Sequence, residues 1–247
     1  YGVQRKKELT GAVAVVGEAQ IEELNPTRLE QAIQGQVAGV DITSQSGSPG
    51  SGLNIRIRGV TTNGDNRPLI LVDGNVIEDL SVLNPSDIKS MNILKDATAG
   101  IYGVRAANGV ILIETKKGRR NTKPQISISS YFGSQQPVKK LDLLNATEYA
   151  VIKNEMLGTG GNPLPFPNAQ LGEGTDWQNA VFSNASIQNH NISIQGGSEK
   201  STYSIGGSYF LQNGIVGNEK ANFERLNGRV NYTTKLSDKL KLNSIFQ

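Results

Sequence analysis

Cysteine is absent from the sequence, which excludes disulfides, thiolate metal sites and cysteine nucleophiles. Histidine occurs once, at His190, so a multi-histidine metal centre is excluded too. No serine elbow surrounds that histidine, and the sequence shows no catalytic constellation; the expectation is a protein that is not an enzyme and holds no cofactor or metal. Long apolar runs are also missing. The apolar runs around Leu69–Val72 and Val110–Ile113 are strand-sized and far short of the roughly 18 residues of a spanning helix. Hydrophobic residues make up 36% and the mean hydropathy is −0.34. A β-barrel stays open, because its strands alternate and never build a long apolar run. Charge of one sign is scarce as well: 25 basic residues against 22 acidic ones leave +3, too little to argue for nucleic acid. The clusters Arg5-Lys6-Lys7 and Lys116-Lys117-Gly118-Arg119-Arg120 are short, lack interleaved aromatics and read as solvated segment ends.

What is present falls into two compositions. Residues 1–120 mix short β-rich runs with glycine, and residues 121–247 alternate polar residues with tyrosine, phenylalanine and asparagine. The boundary is expected near Gly118–Pro124. In the first part, Asn25-Pro26-Thr27 predicts the start of a helix, with Thr27 and Glu30 at capping-box spacing. Leu29, Ala32, Ile33 and Val37 follow at helical spacing, and Gly39 offers a stop. Strands are expected at Val40–Thr43, Leu53–Arg58, Pro68–Val72, Ser90–Leu94 and Gly109–Thr115. Asp73-Gly74 followed by Val76-Ile77 is a hairpin signal. The expectation is a small α+β domain.

In the second part, Leu226, Gly228, Val230, Tyr232 and Thr234 alternate with Arg225, Asn227, Arg229, Asn231 and Thr233. Tyr203, Ile205, Gly207, Tyr209 and Leu211 form a second neutral face; Ile126, Ile128, Ser130 and Phe132 form a weaker third. Such segments match the roughly 9–11 residues of a tilted membrane strand. Tight turns are expected at Gly197–Lys200 and Ser237–Lys239, and long connections at 135–185 and Gly214–Phe223. Short and long connections alternate in this way in outer-membrane barrels. The period-two pattern alone equally allows a soluble antiparallel sandwich. Tyr1-Gly2-Val3-Gln4 lacks a signal-peptide pattern, and Ile245-Phe246-Gln247 ends within an expected strand, so the sequence reads as a portion of a longer protein.

Several motifs, in order and spacing, carry a likeness. They are Lys6-Lys7-Glu8-Leu9-Thr10-Gly11-Ala12-Val13, Gln31–Val40, Ser46-Gly47-Ser48-Pro49-Gly50, Ile55-Arg56-Ile57-Arg58-Gly59, Pro68–Gly74 and Leu94-Lys95-Asp96-Ala97. The most specific is Ile101-Tyr102-Gly103-Val104-Arg105-Ala106-Ala107-Asn108-Gly109-Val110-Ile111, closed by Thr115-Lys116-Lys117-Gly118. Beyond it come Asn145-Ala146-Thr147-Glu148-Tyr149, Asp176-Trp177-Gln178 and Asn189–Ile194. Together they resemble the SusC/RagA-type TonB-dependent outer-membrane transporters, with one departure at Ala106-Ala107, where that family more often carries glycine.

The resemblance implies a plug domain at 1–120 and, at 121–247, the N-terminal strands and loops of a transmembrane β-barrel of about 22 strands. It implies a Gram-negative outer membrane, energy coupling to TonB through a box upstream of Tyr1, a SusD/RagB-like surface lipoprotein, and glycan or oligopeptide import. Arg56, Arg58 and Arg105 are the candidates for plug–barrel contact, their planar guanidinium groups suiting carboxylates on the wall. Asn63, Asp65, Asn66 and Arg67, in a polar loop, are the candidates for substrate contact. The rivals are a soluble extracellular or periplasmic binding or adhesion module with a β-sandwich second half, and a hydrolase whose catalytic residues lie elsewhere.

Overall fold

The computed structural model describes residues 13–24, 26–60, 62–95 and 102–246. Tyr1–Ala12, Asn25, Asp96–Ile101 and Gln247 of the segments named above lie outside the described residues. The chain divides into two compact units. The first comprises Tyr1–Tyr131, Gln188–Leu211 and Phe223–Gln247, and the second Phe132–Ile187 and Gln212–Asn222.

The first unit contains a five-stranded mixed sheet. Its strands are β1 (Val13–Gly17), β4 (Leu69–Val72), β5 (Asn75–Ile77), β6 (Ile88–Leu94) and β7 (Val110–Thr115), in the order β1-β6-β7-β4-β5. Only β4 and β7 run parallel, with Leu69 opposite Val110. The adjoining strands β4 and β7 are buried on both faces, which is why Leu69–Val72 and Val110–Ile113 read as unbroken apolar runs. Ile70, Val72, Met91, Ile93, Ile111 and Ile113 pack with Leu29, Ile33 and Leu80 on one face. Leu71, Leu94, Val110 and Ala106 pack on the other. A separate ribbon pairs β2 (Val40–Ser44) with β3 (Leu53–Ile57).

Between β4 and β5, Asp73 and Gly74 adopt φ of 47° and 93°, both left-handed as a two-residue hairpin turn requires. Asp73 does more than turn the chain. Its side chain is 2% exposed, bonds the Thr115 hydroxyl and meets Lys117 Nζ at 3.1 Å, fastening the end of β4 to the end of β7.

Three expectations need correction here. The predicted helix after Pro26 is a single 3-10 turn at Leu29–Ala32. Its apolar residues are buried as the periodicity demands. However, Gly35 and Gly39 take φ near 73° and 72°, conformations that end any α-helical repeat. The capping arrangement also differs: Gln31 Oε1 accepts from the Thr27 amide at 3.1 Å, the Thr27 hydroxyl at 2.9 Å and the Arg28 amide at 3.2 Å. The regular helix stands earlier, as α1 (Glu18–Leu24), which seats Ile21 in the core. Finally, β3 ends at Ile57, one residue before Arg58, which turns out of the strand with φ 62°.

The second sheet is formed by β8 (Thr122–Gln135), β9 (Ala185–Gly197), β10 (Ser201–Gly214), β11 (Asn218–Lys235) and β12 (Lys241–Phe246), each beside its sequence neighbour. The tight turns at 198–200 and 236–240 stand as expected, Ser198 donating its amide to Ser201 O at 2.8 Å. The connection after Gly214 is short rather than long: β11 begins at Asn218, and Gly217, with φ 80°, completes the reversal.

The faces of these strands are inverted relative to a soluble protein. On β11, Leu226 is 79% exposed, whereas Arg229 is 2% exposed; Arg225 and Asn231 are buried as well. On β10, Ser204 and Ser208 are buried and Ile205 is exposed. Ile126 and Ile128 of β8 and Ile192 of β9 are likewise exposed.

In the second unit, α2 (Ala146–Gly158) starts with a capping box. Asn145 Oδ1 accepts from the Glu148 amide at 2.8 Å, and Glu148 Oε2 accepts from the Asn145 amide at 2.9 Å. Asn145→Ala is expected to lower the helix's local stability by about 1 kcal/mol, read as faster amide exchange in 146–150. A short α3 (Trp177–Val181) is capped by Asp176, whose Oδ1 accepts from the Asn179 amide at 2.9 Å.

Candidate functional site

Alternation on β11 places Phe223, Arg225, Asn227 and Arg229 on one side, and within the first unit each meets the mixed-sheet domain. Arg229 donates to Asp87 Oδ1 at 3.0 Å, to Ser204 Oγ at 3.3 Å and to the Lys116 carbonyl at 2.6 Å. Asn227 Nδ2 donates to Val82 O at 2.7 Å, and Arg225 to Ser81 O at 3.0 Å while its guanidinium lies 5.3 Å over the Phe210 ring. On β9, Asn191 Oδ1 accepts from Asn84 Nδ2 at 2.8 Å.

Glycine makes this closeness attainable. A Cβ on Gly206 would lie 2.9 Å from Asp87 Oδ1, and one on Gly118 would strike the backbone at Tyr203 and Gly196. Below Asp87, Lys116 bridges Glu18 at 2.9 Å and Glu22 at 2.7 Å. Burial opposes its charge, yet the two carboxylates outweigh that cost and raise its pKa.

The loop chosen for substrate contact is held internally. Asn66 Oδ1 accepts from the Thr62 amide at 3.1 Å, and its Nδ2 donates to Thr62 O at 2.7 Å and Gly64 O at 3.0 Å. Asn66 therefore shapes the loop. Asn63 is exposed. Asp65 takes Arg67 as a fork, with Nε 3.0 Å from both carboxylate oxygens and Nη2 at 2.8 Å. Arg67's side-chain hydrogen bonds hold the Asp65 carboxyl down at about 2. A cleft of about 340 Å³ is lined by Asp65, Arg67, Glu78, Arg105 and Asn108. Asn108 Nδ2 closes one wall by donating to Asp65 O at 2.8 Å.

The structure thus brings Asp65 and Arg67 together with Arg105, a candidate for barrel contact. Arg56 and Arg58 are both exposed and stand on different parts of the backbone, one in β3 and one beyond it. An ion pair that joins strand to domain has its arginine, Arg229, on the strand and its carboxylate, Asp87, in the small domain. Sequence reading missed Asp87, although Arg225 and Arg229 had already been assigned to the polar face of their strand. Among the described residues no group of three or more His, Cys, Asp or Glu is placed to hold a metal ion. No described helix is long and apolar enough to cross a membrane, which says nothing of strands.

Comparison with known proteins gives a consistent picture. The family model for the TonB-dependent receptor plug domain matches residues 5–110. TonB-dependent receptor SusC of Bacteroides thetaiotaomicron is 37% identical over 256 residues, covering 98% of this chain and 25% of its own length. The chain spans about a quarter of the length of the curated relatives it matches. The RagAB peptide importer superposes with TM-scores of 0.82 in its closed-closed state and 0.84 in its open-open state, at 29% identity. This chain covers 30% and 31% of those chains. The ferric enterobactin receptor of Pseudomonas aeruginosa, at 16% identity and a TM-score of 0.62, shares the fold.

Proposed function

Since this chain belongs to the TonB-dependent receptors of the SusC/RagA type, with their plug domain at residues 5–110, we propose that it is the plug and first wall strands of an outer-membrane importer of glycans or oligopeptides. The observation that carries this reading is the inverted sheet: Leu226 and Ile205 turn outward while Arg225, Arg229 and Ser204 turn inward onto the plug. A lipid-facing band and a polar lumen need that arrangement. A soluble sandwich would bury Leu226 and Val230 and expose the arginines. TonB, engaged through a segment preceding the plug, would supply the energy, and a SusD/RagB-like surface lipoprotein would deliver the substrate. No catalytic step is involved.

Within this reading the Asp65–Arg67 fork and Arg105 form part of the cavity floor, offering acceptors and donors to hydroxyl or amide groups. The test is uptake by cells bearing the complete receptor. Loss of TonB should abolish uptake, and the double variant Asp65→Ala/Arg67→Ala should raise the half-saturating substrate concentration about tenfold, roughly 1.4 kcal/mol. Uptake indifferent to TonB would overturn the reading.

A further inference from the structure

Asparagine stands before glycine at four places, Asn63-Gly64, Asn108-Gly109, Asn213-Gly214 and Asn227-Gly228. The pairing has its own chemistry. Glycine leaves its amide nitrogen open to approach, and the preceding side-chain amide carbon lies within five-membered-ring reach of that nitrogen. The fold treats the four pairs differently. Asn227 and Gly228 lie inside β11, and Asn227 Nδ2 donates to Val82 O at 2.7 Å. Asn213 and Gly214 end β10, and Asn213 Nδ2 donates to Ser186 Oγ at 2.9 Å. Asn108 Nδ2 donates to Asp65 O at 2.8 Å, and the amide of buried Gly109 donates to Ala106 O at 2.9 Å. Each of these three must break out of a strand or a bonded turn before its side chain can meet the next nitrogen.

Asn63 is placed otherwise. It is exposed, belongs to no strand or helix, and its side chain makes no hydrogen bond. The Gly64 amide donates to the Thr62 hydroxyl at 3.2 Å, at the surface. Asn66 closes the neck of the loop through Thr62 and Gly64, so Asn63 and Gly64 stand at its tip. Gly64 is not in the left-handed region, and a Cβ there would meet Thr62 Oγ1 at an ordinary 3.7 Å. The backbone therefore does not require glycine at 64. What glycine does there is bare the nitrogen.

We propose that Asn63 is a self-modification site, where the loop converts its own side-chain amide to a carboxylate with water as the co-reactant. The Gly64 nitrogen, its proton passed to solvent, bonds Asn63 Cγ; the Cγ–Nδ2 bond breaks and that nitrogen leaves as ammonia. Water then opens the five-membered imide. Cleavage at Cγ yields aspartate, and cleavage at the main-chain carbonyl yields isoaspartate, with the chain routed through Cγ. Nothing is oxidised or reduced. The loop gains one negative charge two residues from Asp65, and the iso form adds a backbone atom inside the neck that Asn66 holds. The chemistry requires neither ligand nor membrane and stands apart from the importer reading. On that reading the change falls on the cavity floor, so receptors of different age present different floors.

The test ages the complete receptor in detergent at neutral and mildly alkaline pH and follows the four asparagines by peptide mass spectrometry. Product should accumulate at Asn63 at least about tenfold faster than at Asn108, Asn213 or Asn227, the factor set by an opening free energy of ~1.4 kcal/mol at those sites. The rate should rise with pH, because the nitrogen attacks after losing its proton. Gly64→Ala, which the loop accommodates, should slow conversion at least about tenfold by spoiling the line of approach. Asn63→Gln, which would have to close a six-membered ring, should stay unmodified over the same period. In denaturant the four sites should converge. Conversion at Asn63 no faster than at the other three, a rate unchanged in Gly64→Ala, or a lead that persists in the unfolded chain would overturn the proposal. Since no step involves uptake, failure of TonB dependence would remove the importer reading and leave these rates as they are.

Discussion

Replacing Arg229 with alanine is expected to cost the plug's seating about 3–5 kcal/mol, the loss found when one partner of a buried ion pair is removed. Asp87 would keep a side chain only 12% exposed and lose its cation. The Lys116 carbonyl and the Ser204 hydroxyl would lose a donor at the same stroke. In the complete receptor, amide exchange across 86–90 should accelerate by two or more orders of magnitude, about what 3 kcal/mol implies. The sheet core around Met91 and Ile111 should stay protected. Arg56→Ala, at an exposed strand position, is the matched control and should change stability by less than about 0.5 kcal/mol. Replacing both Arg229 and Asp87 with apolar residues of similar volume should recover much of the loss, because no charge is then stranded. Unchanged exchange in Arg229→Ala would show that the pair does not hold the plug.

The second large effect lies on the opposite side of the same strand. Leu226→Arg is expected to destabilise the folded receptor in a bilayer by about 2–4 kcal/mol, the penalty for a basic residue at mid-depth on a lipid face. If water covered that face, an exposed leucine could become arginine within about 0.5 kcal/mol. The measurement is the folded fraction across a denaturant series in lipid vesicles. A shift below 1 kcal/mol would place Leu226 outside the hydrocarbon layer.

Much of the plug was legible because its signals are local. Asp73-Gly74 declared its turn, and the two-sided burial of β4 and β7 left apolar runs that read as strands. The segment after Pro26 misled because the same apolar positions serve a 3-10 turn and loop as serve a helix; only the left-handed Gly35 and Gly39 separate the two. Helix α1 escaped notice because a seven-residue element that buries one side chain, Ile21, has no periodicity to display. The connection after Gly214 is expected to run to Phe223, yet β11 begins at Asn218, five residues before that aromatic.

The site was legible only by half. A polar strand face announces itself by alternation, but what it faces is a long-range fact, and Asp87 lies 142 residues from its arginine. The loop at 62–67 offered hydrogen-bonding groups in plain view. Which of them are already spent, as Asn66 is, depends on backbone geometry that composition does not fix.

The contacts along β11 also set a timetable. The plug's sheet is complete once Thr115 has been made, but Ser81 must wait for Arg225, 144 residues later, and Asp87 for Arg229. Contacts so distant in sequence form late, after the entropy of closing a long loop has been met. Ser81, Val82 and Asp87 stand as a row of polar partners for Arg225, Asn227 and Arg229, every second residue of the strand. The same spacing penalises a slipped strand: moving β11 by one residue would press Leu226 and Val230 onto the plug and turn Arg225 and Arg229 outward.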